Sequence, residues 1–287
     1  MNNAKPPFFA CDRLAILGLG LMGGSLAMAL RGQCAGLLGI DPDPAAVQLA
    51  LARGVVDQAA TDPAGLLAEA DVIILAAPVN TILELLAALP ELHPGPAVVL
   101  DLGSTKARIV EAMEKLPERF DPIGGHPMCG KERSGLANAD PELFRGAPFA
   151  FTPLARTRPR ARKFAAALAQ ALGAAPLWLD PATHDRWVAA TSHLPFLVSN
   201  ALAACTPLEA ATLVGSGFRS ATRLAPTPAN MMLDILMTNR ENVLAALGSF
   251  RQQLDQLDAL LTDCDYPALG KLLEAGARQQ QSLTATK

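Results

Sequence analysis

The sequence predicts a doubly wound α/β domain over residues 1–180, followed by an all-helical domain over residues 181–287. Three observations predict it. Short apolar strands alternate with helical segments through the first half, and helical patterning without strands fills the second. The length of 287 residues exceeds what one hydrophobic core usually serves. Composition agrees: 51% of residues are hydrophobic and 18% charged, which excludes disorder as the main state. Aromatics are only 5% while alanine is abundant, favouring closely packed helices.

The first strand is Leu14–Leu17. The turn Gly18-Leu19-Gly20-Leu21-Met22-Gly23 follows, then an apolar-faced helix to Leu30. This is a G-x-G-x-x-G pattern of the Rossmann type. Gly18 permits the tight turn, Gly20 lets the backbone approach a pyrophosphate, and Gly23 lets helix pack on strand. Leu21 and Met22 complete the expected phosphate loop. A second strand, Gly36–Ile40, ends in Asp41, 18 residues beyond Gly23. A carboxylate there can bond both ribose hydroxyls of NAD and would repel a 2′-phosphate, so NAD is favoured over NADP. The alternative role for Asp41 is a helix cap before Pro42.

Val72–Ala76 is the third strand. It ends at Ala77-Pro78-Val79, where the chain passes over the cofactor crevice. Pro78 and Val79 are therefore expected beside the cofactor, although Pro78 can equally end the strand. Val98–Asp101 is another strand, followed by Leu102–Lys106 and a helix through Met113, with Ser104 or Thr105 as a suitable N-cap. A strand around Phe149–Thr152, a helix and a short strand at Pro176–Leu179 complete the first domain. In the second, Val243, Leu247, Phe250, Leu254, Leu257 and Leu261 trace one narrow apolar seam of a long bundle helix. The polar end from Gln279 is expected to fray.

Net charge is −3, so no global field attracts nucleic acid or acidic lipid. Arg156, Arg158, Arg160, Arg162 and Lys163 crowd together without interleaved aromatics. They predict a solvated loop before the helix bearing Phe164, Leu168 and Leu172, and no nucleic-acid partner. The longest apolar runs, such as Val72–Val79, fall short of the roughly 18–20 residues of a membrane span, so no membrane partner is expected. The five cysteines, Cys11, Cys34, Cys129, Cys205 and Cys264, are scattered and form no C-x-x-C. They suit a reducing compartment with neither disulfides nor a metal. The N-terminus lacks a secretory signal pattern, and a cytoplasmic location is expected.

Four histidines are present. His93, before Pro94-Gly95-Pro96, is expected on the surface. His126, in Gly124-Gly125-His126-Pro127, is expected in a constrained loop that reaches the cofactor crevice. Its imidazole suits a general base for hydride abstraction from an alcohol. His184 and His193 lie nine positions apart in a helix predicted from Pro181 to about Cys205. At about 100° per residue they point to opposite sides and cannot share a metal. A kink at Pro195 makes His193 the better site candidate. His184, beside Asp185 and Arg186, is expected to be structural, and Arg223 by itself reads as an exposed helix arginine.

Taken in order, several segments resemble the prephenate dehydrogenase family, which includes the arogenate and cyclohexadienyl dehydrogenases. They are Gly18–Gly23 with Gly24-Ser25, Asp101–Lys106, Gly124–Met128, Ser192-His193-Leu194-Pro195 and Gly217–Arg223. The likeness runs from about Leu14 to Leu261. It implies NAD-dependent oxidative decarboxylation of prephenate to 4-hydroxyphenylpyruvate in tyrosine biosynthesis, with arogenate to tyrosine as the sister reaction. By that likeness His126 accepts the hydroxyl proton. Ser104 would bond the same hydroxyl and hold His126 in its acceptor tautomer. Arg223 would pair with a substrate carboxylate, and His193 would line the substrate pocket. Glu132 resembles an acidic gate residue, although a solvated charge between Lys131 and Arg133 explains it equally well.

The likeness further implies a homodimer through the helical half, with each site between the two domains. Relatives often carry an acid where Ser220 stands and a tryptophan where Met232 stands. Cys129, three residues past His126, offers either a thiol whose modification would block the site or a small neutral filler. A β-hydroxyacid dehydrogenase is the second expectation, but those enzymes use a helix-borne lysine. After residue 150 this chain has only Lys163, Lys271 and Lys287, none in a suitable context. A non-catalytic NAD-binding redox sensor is the third.

Overall fold

The computed structural model describes residues 11–131 and 133–285. Two compact units emerge, Met1–Asn239 and Arg240–Lys287. The first is built on β1 (Arg13–Leu17), α1 (Leu21–Ala29), β2 (Gly36–Ile40), α2 (Pro44–Ala52), β3 (Gln58–Ala60), β4 (Val72–Leu75) and α3 (Val79–Leu92). Next come β5 (Ala97–Asp101), α4 (Ala107–Glu114), β6 (Phe120–Pro127), β7 (Pro148–Pro153), α5 (Pro159–Leu172) and β8 (Ala175–Trp178). The strands form one sheet in the order β3-β2-β1-β4-β5-β6-β7-β8. All neighbours run parallel except β6 and β7. Among its described residues the link from β6 to β7 holds only a 3-10 turn at Leu136–Asn138, too short to carry the chain back to the same end, so β7 runs back antiparallel. β3 was not foreseen, because Gln58-Ala59-Ala60 carries no apolar run.

Side chains alternate across each strand, and this sorts the core into two layers. Leu14 and Ile16 of β1 join Leu26 of α1 and Phe164, Leu168 and Leu172 of α5 on one face. Ala15 and Leu17 join Ile82, Leu86 and Leu89 of α3 and Ile109 and Met113 of α4 on the other. Met232 is buried in this second layer.

Several helix ends differ from the local expectation. The cap of α2 is Asp43, which accepts from Ala45 N at 2.9 Å, and not Asp41. Neither Ser104 nor Thr105 caps α4. Asp185, 78 positions along the chain from Ala107, accepts from Lys106 N at 2.7 Å and Ala107 N at 2.9 Å. A carboxylate from another helix thus satisfies donors that open a helix.

The basic stretch is not simply solvated. The Arg156 guanidinium reaches the end of α4 and donates to Leu116 O at 2.6 Å, Phe120 O at 2.9 Å and Pro117 O at 3.1 Å. Charged donors there answer the orphan carbonyls of a helix C-terminus. Replacing Arg156 by alanine is expected to cost about 2–3 kcal/mol of stability, measured by urea unfolding, with the Michaelis constants unchanged.

His93 is buried, not superficial. Its Nδ1 accepts from Gly95 N at 2.7 Å, which leaves Nε2–H to donate to Ala70 O at 2.8 Å.

After the sheet come α6 (Pro181–Val188), a π turn at Ala189–His193, α7 (Leu194–Cys205), α8 (Ser216–Ala221) and α9 (Ala229–Thr238). Pro195 falls in the first turn of α7, where its missing N–H is tolerated. By length and composition the continuous run Pro181–Cys205 could cross a membrane, although no single apolar stretch in the sequence suggested one. Its buried Asp185 is hydrogen-bonded to the start of α4, which ties the run to the sheet.

The second unit is a helical hairpin of α10 (Arg240–Thr262) and α11 (Tyr266–Thr284). Along the seam of α10, Val243 is buried while Leu254 and Leu261 are exposed.

Candidate active site

The glycine turn between β1 and α1 is shaped by contact. At Gly18, φ is +100°, and a Cβ would lie 2.3 Å from Ala76 O. At Gly23 a Cβ would lie 1.8 Å from Gly18 O, so the helix closes directly on the turn. A Cβ at Gly20 would meet only open space. The backbone there is bare toward whatever occupies the crevice, which is what a pyrophosphate requires.

Asp41 stands at the end of β2. Its Oδ2 accepts from Leu19 N at 2.7 Å, and its Oδ1 from Asp43 N at 2.9 Å. The carboxylate is thereby locked against the glycine turn with lone pairs remaining. Leu21 and Met22 form the first turn of α1 and are half-buried. Across the sheet Pro78 is exposed at the head of α3, while the Val79 side chain is buried in the core.

His126 lies within strand β6, paired opposite Ala150 of β7, and not in a loop. The two preceding glycines explain this. A Cβ at Gly124 would sit 2.1 Å from Thr152 Oγ1, and one at Gly125 would sit 2.7 Å from Asp101 O. They are the price of bringing β5, β6 and β7 together at this end of the sheet. Asp101, the last residue of β5, accepts from Gly103 N at 2.8 Å and Gly125 N at 3.1 Å, and it pairs with Lys106. Lys106 Nζ also donates to Gly125 O at 2.7 Å. Both members of the ion pair have 0% side-chain exposure. The Ser104 turn is therefore pinned to the strand that carries His126.

His126 Nδ1 lies 2.9 Å from His184 Nε2, and His184 Nδ1 lies 2.8 Å from Asp185 Oδ1. A carboxylate accepts, so His184 Nδ1–H donates to Asp185, and in the neutral imidazole its Nε2 is then bare. His126 Nδ1–H must then donate to His184, which leaves His126 Nε2 as a free lone pair. His184, expected to be structural, is the group that sets this tautomer. Burial, then the electrostatic influence of the neighbouring His184, Lys106 and His193, holds the His126 pKa well below its ordinary value.

His184 and His193 do not point to opposite sides. The intervening π turn is wound wider than an α-helix, and it swings His193 into the same cluster. Asn239 Nδ2 donates to His193 Nδ1 at 3.3 Å and to Asp185 O at 2.7 Å. Burial pushes the His193 pKa down to about 4, with the neighbouring Asp185 carboxylate opposing.

His93, His126 and His193 thus favour their neutral forms in the folded chain, against an ordinary value of 6.5. A depressed histidine pKa adds stability that is complete above the unfolded value and is lost as pH falls from there through the folded value. Unfolding free energy is expected to drop between pH 7 and pH 5, by about 2 kcal/mol from His193 alone. Urea titrations at the two pH values measure it.

Ser104 is half-buried in its turn, and Thr105 Oγ1 lies 2.9 Å from Thr238 Oγ1. Arg223 follows α8 on an exposed turn, and Ser220 is exposed within that helix. Glu132 lies outside the described residues. Burial raises the Cys129 thiol to about 11, far from a reactive thiolate. Among the described residues, no cluster of His, Cys, Asp or Glu is arranged to hold a metal. Sequence reasoning passed over Asp101, Lys106, Asp185 and Asn239, and misassigned His184. The available signals were the adjacent His184-Asp185 pair and the two opposite charges that bracket Ser104.

A dinucleotide-type sheet, a glycine turn with its acidic partner and a buried histidine with a free lone pair define an oxidoreductase of the NAD-binding class. Comparison with known proteins narrows this. Residues 26–176 match the model "Prephenate dehydrogenase, nucleotide-binding domain", and residues 180–275 match "Prephenate dehydrogenase, dimerization domain". The chain belongs to the prephenate dehydrogenase family.

It is 33% identical over 259 residues to the prephenate dehydrogenase of Bacillus subtilis, an alignment covering 86% of this chain and 69% of that protein. The structure of Aquifex aeolicus prephenate dehydrogenase, in complex with hydroxyphenyl propionate and NAD+, matches with a TM-score of 0.89. Identity is 29%, with 96% of this chain and 99% of that one covered. Synechocystis arogenate dehydrogenase matches with a TM-score of 0.82 at 32% identity, with 95% and 100% covered.

Proposed function

We propose that this chain catalyses the NAD-dependent oxidative decarboxylation of prephenate to 4-hydroxyphenylpyruvate, with arogenate as an alternative substrate. The observation that carries this is the bare Nε2 of His126, held by His184 and Asp185 at the same end of the sheet as the glycine turn. NAD, when bound, supplies the hydride acceptor. Gly18, Gly20, Leu21, Met22 and Gly23 hold the pyrophosphate, Asp41 the ribose hydroxyls, and the Pro78–Val79 crest borders the crevice. His126 removes the proton from the substrate hydroxyl at Nε2. Ser104 bonds that hydroxyl, Arg223 pairs with a substrate carboxylate, and His193 lines the pocket. Decarboxylation makes the ring aromatic, so the protein supplies position and a base and needs no further driving group.

The matched models break between residues 176 and 180, which supports dividing the chain at 180 into NAD-binding and helical domains. The helical part assembles as a homodimer. Support comes from the dimerization-domain match and from apolar side chains left exposed, such as Leu202, Met237, Leu254, Leu261 and Leu273. Light scattering in solution should give twice the chain mass. A cytoplasmic location accords with five cysteines that are all free.

The deciding experiment mixes purified protein with NAD and prephenate, then with arogenate, and follows NADH. Formation with either supports the activity, and their relative kcat/KM assigns the preferred substrate. No NADH with either would favour a non-catalytic NAD sensor.

A further inference from the structure

The proposed reaction borrows a proton and returns it. As the hydride leaves carbon, the hydroxyl O–H electron pair becomes the carbonyl. When the C–CO2 bond breaks, its electron pair aromatises the ring and leaves the same oxygen as a phenolate, which takes a proton back. The base must therefore hold one proton through a single turnover and need not export it.

The surroundings of His126 make it a poor place to hold that proton. Lys106 sits beside it, donating to Gly125 O at 2.7 Å, and His193 and His184 also face it. Asp101 answers the Lys106 charge but is turned to Lys106, Gly103 and Gly125. One imidazole further on, His184 contacts a carboxylate. Asp185 Oδ1 lies 2.8 Å from His184 Nδ1, and both residues are only 1% exposed. His193 and His126 also face His184.

Resting on the activity proposed above, we infer that His184 and Asp185 are positioning residues that store the substrate proton during turnover. His126 Nε2 takes the hydroxyl proton, and the His126 Nδ1–H proton passes to His184 Nε2. His126 is left neutral, protonated at Nε2 in place of Nδ1. His184 becomes an imidazolium paired with the Asp185 carboxylate. The reverse shift returns the proton to the phenolate oxygen. Burial of the chain suits storage, since it offers the proton no exchange with water.

Two variants separate storage from simple orientation. His184→Gln can accept the His126 N–H but cannot hold a proton, whereas His184→Leu can do neither. With prephenate and NAD, kcat is expected to fall about 10–100-fold in H184Q and about 1,000-fold in H184L. KM for prephenate should stay within about threefold in both, because neither side chain is placed against substrate. The acid limb of kcat/KM should move in H184Q, because the coupled pair has lost one of its two proton sites.

Wild-type kcat in H184Q with an unmoved acid limb would overturn the storage role. As a readout independent of folding in the variants, nitrogen NMR of the wild-type protein should show His126 protonated at Nδ1 and bare at Nε2. The opposite tautomer would overturn the inference. Absence of NADH from wild type would overturn the activity instead, and the nitrogen shifts distinguish the two failures.

Discussion

Replacing His126 with asparagine is expected to lower kcat for NADH formation by about 1,000-fold, within the 100- to 10,000-fold that general-base catalysis supplies. Asparagine can still donate an N–H toward His184 Nε2, now 2.9 Å from His126 Nδ1, so the cluster keeps a bond there. It has no lone pair that takes a proton near neutral pH. NAD affinity should not change, because the turn that would receive the dinucleotide is formed by Gly18, Gly20 and Gly23 with Asp41. The measurements are steady-state NADH formation and a fluorescence titration of NAD. Near-normal turnover with intact NAD binding would show that another group is the base.

Lys106→Met is expected to cost about 3–5 kcal/mol of stability, the usual result of breaking a buried ion pair from one side. The Asp101 carboxylate would remain in a space with 0% exposure, bonded to Gly103 N and Gly125 N but without its cation. Urea unfolding of K106M, and of K106M combined with Asp101→Asn, tests this. The double variant should recover much of the loss because it removes the unpaired charge. K106M should also move the acid limb of kcat/KM to higher pH. The Lys106 charge lowers the His126 pKa, so its removal lets His126 protonate sooner. An acid limb that stays in place would separate Lys106 electrostatically from the base.

Much of the architecture is written locally. Apolar runs mark the strands from Leu14, Gly36, Val72 and Val98, and these lie within a residue of β1, β2, β4 and β5. The glycine turn is equally legible, because its spacing answers a steric demand at Gly18 and Gly23 that any neighbouring strand would make. His126 stands out in the sequence as the proposed base, but its placement in a strand does not. Gly124-Gly125 reads as loop until Thr152 and Asp101 O are known to press on those positions. His93 and Arg156 looked solvent-facing for a similar reason. Their partners, Ala70 O for one and the end of α4 for the other, lie 23 and about 40 positions away.

By itself, then, the sequence determined the alternating sheet, the dinucleotide turn and, through its ordered motifs, the family, and it singled out His126 as the base proposed here. Tertiary structure alone decided how that base is held. Periodicity at 100° per residue set His184 and His193 on opposite sides, but the π turn between them gathers both beside Asp185 and Asn239. The physical reason is range. Turn sterics and strand alternation act over a few residues, whereas a buried charge finds its partner only after helices and strands have packed.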